Sequence, residues 1–233
     1  MASTYIPELY EFLAELGQRQ DREWFRANRA RYDHLRQLWL DDIERLIAHM
    51  AEWWPCVKGQ TAKGVSYRIY RDTRFSRDKS PFKNYFSASF SPYGRSSGAA
   101  HMPGFYLQMG PGSYTDGVES GLYGGIWQPD SASLGKLRKA IVDNIEEFEE
   151  ILAEPTLQRL YPEWIGDALK TIPKGYDRNH PQAALLRLKE YGRFLPCDMA
   201  YFDDPAWPEK VSRDLRPLRP FIDFLTYSLE EEV

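Results

Sequence analysis

Apolar residues recur at helical spacing from the start of the chain. Leu9, Phe12, Leu13 and Leu16 share one face of a segment that opens at Pro7, with Gly17 as its stop. Asp21 can cap a second helix, whose apolar stripe runs from Trp24 and Phe25 through Tyr32, Leu35, Trp39, Ile43 and Leu46 to Met50, before Pro55 ends it. Roughly thirty residues is long for one globular helix and leaves room for a kink. The period then changes. Stretches 65–75, 85–90, 104–109 and 122–127 are rich in β-branched and aromatic residues and are punctuated by Gly, Pro and Ser, which predicts strands of a mostly antiparallel sheet. The Gly- and Ser-containing stretch 93–103 reads as a loop and a candidate lid. Helix returns at Ser131 or Ser133, with Leu134, Leu137, Ile141, Ile145, Phe148 and Leu152 on one face, and Pro155 stops it. A short helical piece over 157–169, a turn at 173–176, a helix over 182–191, an extended stretch over 193–202 and a helix over 208–229, interrupted by Pro217 and Pro220, complete the pattern.

The simplest assembly is one α+β domain over 1–233: a central, mostly antiparallel sheet packed by helices from the N- and C-terminal parts. Residues 8–54 are then helical, 64–128 mainly strands and 131–230 mainly helical. At 233 residues, with 42% hydrophobic and 27% charged side chains, the chain can bury a core without disulfides or metal and matches neither a disordered nor a membrane composition. Its longest stretch free of Asp, Glu, Lys and Arg, 96–115, carries two prolines and four glycines and cannot form a membrane span. Cys56 and Cys197 match no metal spacing, and the first residues lack the basic start and apolar run of a signal peptide. A cytoplasmic protein with reduced thiols and no membrane partner is expected.

Charge is distributed unevenly. Residues 65–83 hold six cationic and two anionic side chains, +4, within a chain of net charge −4; the remainder, 24 cations against 32 anions, is −8. If 66–74 is a strand, its side chains alternate, so Arg68, Tyr70, Asp72 and Arg74 share one face and Ile69, Thr73 and Phe75 the other, with Arg71 the misfit. Asp72 can orient the flanking guanidinium forks, whose geometry suits phosphate and carboxylate oxygens. Ser76 and Asp78 suit a turn or cap, and Lys79 and Lys83 add mobile charge. Strand arginines beside an aspartate also form plain surface ladders that contribute about 0–1 kcal/mol, which is the structural alternative.

The run 68–83 resembles the signature of a widespread uncharacterised family, domain of unknown function 2461: Arg-x-x-Arg-Asp-x-Arg-Phe-Ser-x-Asp-Lys-Ser-Pro-(Tyr/Phe)-Lys, met at every fixed position. Asp21, Arg22, Trp24, Phe25, Asn28 and Tyr32 resemble its opening helix. Phe105-Tyr106-Leu107 with Pro111 resembles its aromatic strand, and 123–129 its glycine-rich strand, with Tyr123 where a third glycine is common. Arg138 and Ile141 fit the next helix. Pro173-Lys174-Gly175-Tyr176 with His180-Pro181 resembles the late turn, with Asn179 where aspartate is common. The resemblance spans about 8–225 and implies a unified fold and weight on these positions, but brings no reaction with it.

Motifs of defined chemistry are few. His-Glu-x-x-His, Cys-x-x-Cys, the phosphate-binding loop and Gly-x-Gly-x-x-Gly are missing, so no cofactor is named. Ser76-Arg77-Asp78-Lys79 fits Ser-x-x-Lys without the companion motifs a nucleophile of that class needs. A metal at Asp72 or Asp78 is disfavoured by the cations around them. His34 and His49 fall in the long second helix, whereas His180, beside Lys174, could reach the basic segment if the late turn folds over it. Gly124-Gly125 reads as a strand bulge or as room for a ligand. The aromatic residues Trp24, Phe25, Trp39, Trp53 and Trp54 read as core. The favoured function is therefore an anion site for a phosphate- or carboxylate-bearing small molecule, with or without catalysis, formed by Arg68, Arg71, Asp72, Arg74, Lys79 and Lys83 together with Lys174 and His180. The alternatives are an interaction module for an acidic protein or RNA, and a buried Arg/Asp network that is purely structural. The net charge argues against a large nucleic-acid footprint and leaves a small one open. The pattern identifies neither a substrate nor an oligomeric state.

Overall fold

The computed structural model describes residues 4–74, 79–94, 101–112 and 119–230. In chain order the helices α1 (Ile6–Arg19), α2 (Arg22–Ala27), α3 (Arg29–Trp53) and α4 (Ala62–Val65) precede strands β1 (Phe86–Phe90), β2 (Gly104–Met109) and β3 (Gly121–Ile126). Helices α5 (Ser131–Asp143), α6 (Ile145–Leu152), α7 (Pro155–Leu160) and α8 (Ala183–Leu186) lead to β4 (Tyr191–Pro196), and α9 (Met199–Phe202), α10 (Trp207–Leu215) and α11 (Arg219–Glu230) follow. The fold is α+β, with an antiparallel sheet in the order β1-β2-β3-β4. No helix among the described residues is long and apolar enough to cross a membrane. Cys56 and Cys197 form no disulfide among the described residues.

Two compact units are present, the first built from the chain up to Phe90 and the stretches Tyr106–Leu122 and Pro196–Arg213, the second from Ser91–Phe105, Tyr123–Leu195 and the chain from Asp214 onward. In the first, Leu9, Phe12, Leu13 and Leu16 of α1 are fully buried, as are Leu35, Trp39, Ile43 and Leu46 of α3. The Asp21 carboxylate accepts the Glu23 N–H at 2.8 Å and caps α2. The long helix breaks at Asn28, whose amide nitrogen donates to the Trp24 carbonyl at 3.0 Å. Arg31 ties α3 to α1 through Glu8, Glu11 and Glu15. Gly17 does not stop α1: the helix runs through it and ends where Gln20 turns left-handed at φ 46°, while Gly17 makes room for Asn84.

In the second unit Asp130 caps α5, accepting the Ser133 N–H at 2.7 Å, and a break at Asn144 separates α5 from α6. Phe148, Phe221, Phe224, Trp164 and Tyr191 form an aromatic core with ring centroids 4.9–6.4 Å apart. The glycine pair in β3 serves packing: a Cβ on Gly124 would strike Leu218, and Gly125, at φ +147°, lies against the Tyr191 carbonyl of β4.

Some expected elements differ. The helix expected over 182–191 is only the short α8, because Tyr191 already belongs to β4. The extended stretch expected over 193–202 ends at Pro196; Asp198 then accepts the Tyr201 N–H at 2.9 Å and starts α9. Helix α6 ends at Leu152, shortly before Pro155, which itself occupies the first turn of α7. Pro220 likewise sits in the first turn of α11, where its missing N–H costs nothing, so only Pro217, in a 3-10 turn, marks a break. Residues 95–100, the centre of the expected lid, lie outside the described residues.

Candidate functional site

Within the first unit, Thr61 caps α4, and the chain leaves it at Ser66 as an extended segment antiparallel to 82–88. The pairing expected to be a continuous strand is reduced to isolated bridges at Ser66–Ala88 and Tyr70–Phe82. Tyr67 N–H donates to the Ser87 carbonyl at 2.9 Å, Lys83 N–H to Ile69 at 2.7 Å and Arg71 N–H to Pro81 at 3.0 Å. Two local features interrupt the ladder. Pro81 has no N–H to return to Arg71, and the register slips between the bridges, four residues from Ser66 to Tyr70 standing against six from Phe82 to Ala88. The Gln20 side-chain amide takes the main-chain groups of Phe82 that face away from the pairing, accepting its N–H at 3.1 Å and donating to its carbonyl at 3.2 Å. The side-chain alternation nevertheless persists. Arg68, Tyr70, Asp72 and Arg74 are exposed, Ile69 is buried, and Tyr67, Arg71 and Thr73 are half-buried. Arg71 is thus the cation on the inner side.

On the outer face Arg74 grips Asp72 in a bidentate pair, Nε to Oδ1 at 3.0 Å and Nη2 to Oδ2 at 2.6 Å, and its main-chain N–H donates to the same carboxylate at 3.2 Å. The Arg74 hydrogen bonds, from side chain and then main chain, hold the Asp72 carboxyl down at about 2, with the charges of Arg74 and Arg68 acting the same way. The Arg74 side chain is still 77% exposed. Arg68 is exposed and makes no hydrogen bond or ion pair among the described residues. The Lys79 ammonium donates to the Thr73 carbonyl at 2.8 Å. That of Lys83 lies 4.9 Å from the Tyr67 ring centre and 5.6 Å from that of Tyr85. Beneath the ribbon, Arg36 donates to the Tyr67 carbonyl at 3.1 Å while its guanidinium lies over Trp39 and Phe86. Phe75, Ser76, Arg77 and Asp78 lie outside the described residues.

Lys174 and His180 belong to the second unit. Lys174 is exposed, and the half-buried His180 uses Nδ1 to accept the Gln182 N–H at 3.1 Å, with Tyr176 edge-on at 6.0 Å. Within their own turn, these contacts are structural. An open hollow of about 470 Å³ in the first unit is lined by Glu44, Ile47, Ala51, Glu52 and Lys58, and none of the ribbon residues lines it.

A family model described as conserved hypothetical protein (DUF2461) matches residues 8–224. The chain belongs to the DUF2461 family. No curated protein and no solved structure matches it. The match takes in the whole of the described ribbon in this DUF2461 chain.

Spacing alone does not reveal the setting of two groups in the DUF2461 chain. Tyr70 stands in the alternation between Arg68 and Asp72, and its exposure on the outer face is what the structure adds. In the second unit, Arg138, Arg193, Glu190 and Tyr123 are buried polar side chains. The Glu190 carboxylate accepts the Gln128 N–H at 3.2 Å, and the Tyr123 hydroxyl has no hydrogen-bond partner among the described residues. The sequence signal for these is indirect: Gly166 and Gly192 supply the space, since a Cβ on either would collide with Glu190 or Tyr123.

Proposed function

We propose that the outer face of the 66–74/79–83 ribbon is an anion-binding surface for a phosphate- or carboxylate-bearing ligand, with Arg68 as its principal contact. One observation carries this reading: the alternation puts Arg68 and Arg74 on one exposed face, and Asp72 fixes the Arg74 fork there. A planar guanidinium held in one orientation gives a bidentate match to a tetrahedral or planar oxyanion with less loss of side-chain freedom than a mobile lysine would incur. Lys79, tied to Thr73, adds further positive charge. What is proposed is binding; the residues described at the ribbon include no nucleophile set beside a base.

The test is thermal unfolding of the full chain in inorganic phosphate. A ligand at about a hundredfold over its Kd stabilises by about 2.7 kcal/mol, a shift of several degrees for a chain of this size. The parent protein should show that shift, and Arg68→Ala should lose most of it while unfolding at the same temperature as the parent in phosphate-free buffer. Equal stabilisation of both proteins would refute the reading.

A further inference from the structure

Tyr70 is 43% exposed, on the same face as Arg68 and Arg74. Its ring is backed rather than loose. Phe25 meets it edge-on at 5.8 Å, Phe82 lies 5.5 Å away, and Phe25 and Phe82 are themselves stacked at 4.5 Å. The same aromatic group is bordered by Arg29, whose guanidinium lies 5.9 Å over Phe25 and is anchored to Asp33 at 2.9 Å. An exposed aromatic ring with a rigid apolar backing and guanidinium groups on either side along the chain is more than an oxyanion needs. A phosphate or an acidic peptide would use the cations and gain nothing from the ring.

We infer that the anion is a nucleotide, with its phosphate on Arg68 and its base stacked on Tyr70. This rests on the anion-binding reading above and adds the chemical class of the ligand. Arg68 and Tyr70, two positions apart on an extended segment, are roughly 7 Å apart, within the span of one nucleotide, whereas Arg74, four positions beyond the ring, adds positive charge to the same face. Every base has a π face, so a single fixed ring offers stacking with little sequence preference. The weakly acidic net charge and the short ribbon argue against duplex recognition, which requires an extended basic surface. The shared chemistry, a base joined to a phosphate, is available from a free mononucleotide or from a single strand.

The experiment compares inorganic phosphate, adenosine 5′-monophosphate and a short oligouridylate on the full chain, by calorimetric titration at low and at high salt. Adenosine monophosphate should bind about ten- to a hundredfold more tightly than phosphate, as expected for one stacked base. Tyr70→Ala should abolish that advantage and leave the phosphate affinity intact, while Tyr70→Phe, which keeps the ring and its packing, should retain it. An oligouridylate that binds far more tightly than the mononucleotide, with an affinity that falls steeply with salt, identifies a single strand as the source; equal affinities identify the free nucleotide, and both support the inference. Phosphate binding with no preference for the mononucleotide in the parent, or a preference that survives Tyr70→Ala, overturns the inference and leaves the anion-binding reading standing. Failure of both phosphate and mononucleotide to bind overturns the two together.

Discussion

Arginine plays opposite parts in the two units. In the second unit Arg193 is 5% exposed, donates through Nη1 to the Tyr161 and Pro162 carbonyls at 3.1 and 2.8 Å, and lies 3.8 Å from the Trp164 ring centre. Burial pushes its guanidinium down to about 10. Arg138, also buried, donates to the Leu188 carbonyl at 3.0 Å. Neither forms an ion pair with a carboxylate among the described residues, so main-chain carbonyls and an aromatic face are what hold a charge taken out of water. In the first unit, Arg68 and Arg74 stand in solvent, where charge is cheap to keep. A guanidinium committed to buried carbonyls braces a loop; one on an exposed face, aimed by a neighbouring carboxylate, can meet a ligand. Arg68, Asp72 and Arg74 of the ribbon are exposed and so do not form a buried Arg/Asp network, whereas buried bracing by arginine is present at Arg138 and Arg193.

The sharpest way to break the comparison is to remove one arginine from each side. Arg193→Ala strips the buried Tyr161 carbonyl and the part-buried Pro162 carbonyl of their donor and leaves a void beside Trp164, for an expected loss on the order of 3 kcal/mol, read from the urea midpoint. Arg193→Lys should not restore it, since an ammonium cannot match the planar contact with Trp164. Arg74→Ala, an exposed pair, should cost less than about 1 kcal/mol by the same measurement. If the two variants lost stability equally, the division between bracing and presenting arginines would be wrong.

Next in size is the effect on Asp72. Its carboxyl, held at about 2, keeps its contribution to stability above the ordinary carboxylate value and loses it as the pH falls through about 2. In Arg74→Ala the carboxyl should return towards its ordinary value, the hydrogen bonds that depress it having been reduced. A carbon-detected NMR titration of the side-chain carboxyls checks this. An Asp72 midpoint unchanged by the substitution would mean that Arg74 does not set the carboxylate's state, and the aimed fork would lose its support.

Regular periodicity made most of the fold legible: the apolar stripes of α1, α3 and α5, the Asp21 cap and strand β2 follow directly from residue order. The breaks at Asn28 and Asn144 were harder to see, because apolar residues continue on the same face across them. The ribbon shows where such reasoning stops. Its alternation was legible, and with it the shared face of Arg68, Tyr70, Asp72 and Arg74. The loss of a continuous ladder was not, because alternation within a segment does not fix its register against a partner, and here Ser66 stands opposite Ala88 but Tyr70 opposite Phe82. The burial of Arg193 was hidden in a similar way: alternation in β4 says which residues share a face but not which face is covered. Short-range spacing also could not tell whether Lys174 and His180 serve their own turn or a distant site, and the contacts of His180 with Gln182 and Tyr176 answer only the first half of that question.

The smallest expected effect carries the comparison from cations to carboxylates. Asp72 and Glu190 have the same ionising group and opposite shifts. Asp72 is exposed and hydrogen-bonded to a cation, so its charged form is favoured. Glu190 is 7% exposed and its pKa is raised, chiefly by burial; the Gln128 N–H opposes that rise, and the charge of nearby Asp167 adds to it. Lys189 offers little relief, being paired with Asp167 at 3.1 Å, and the neighbouring Tyr123 hydroxyl is itself buried with no hydrogen-bond partner among the described residues. A carboxyl whose folded value is raised favours the fold while protonated and loses that contribution as the pH rises through the folded value. Glu190→Gln keeps an oxygen to accept the Gln128 N–H and removes the charge. It should therefore be more stable than the parent at pH 8, by no more than about 1 kcal/mol, with the advantage shrinking towards pH 5 as the parent's carboxyl takes up its proton. Asp72→Asn should behave in the opposite sense, less stable than the parent at pH 8 and converging on it only in strong acid. Paired denaturation curves at the two pH values decide the matter: a Glu190→Gln advantage that does not change with pH would show that burial does not raise the Glu190 carboxyl, and the contrast between the exposed and the buried carboxylate would fall with it.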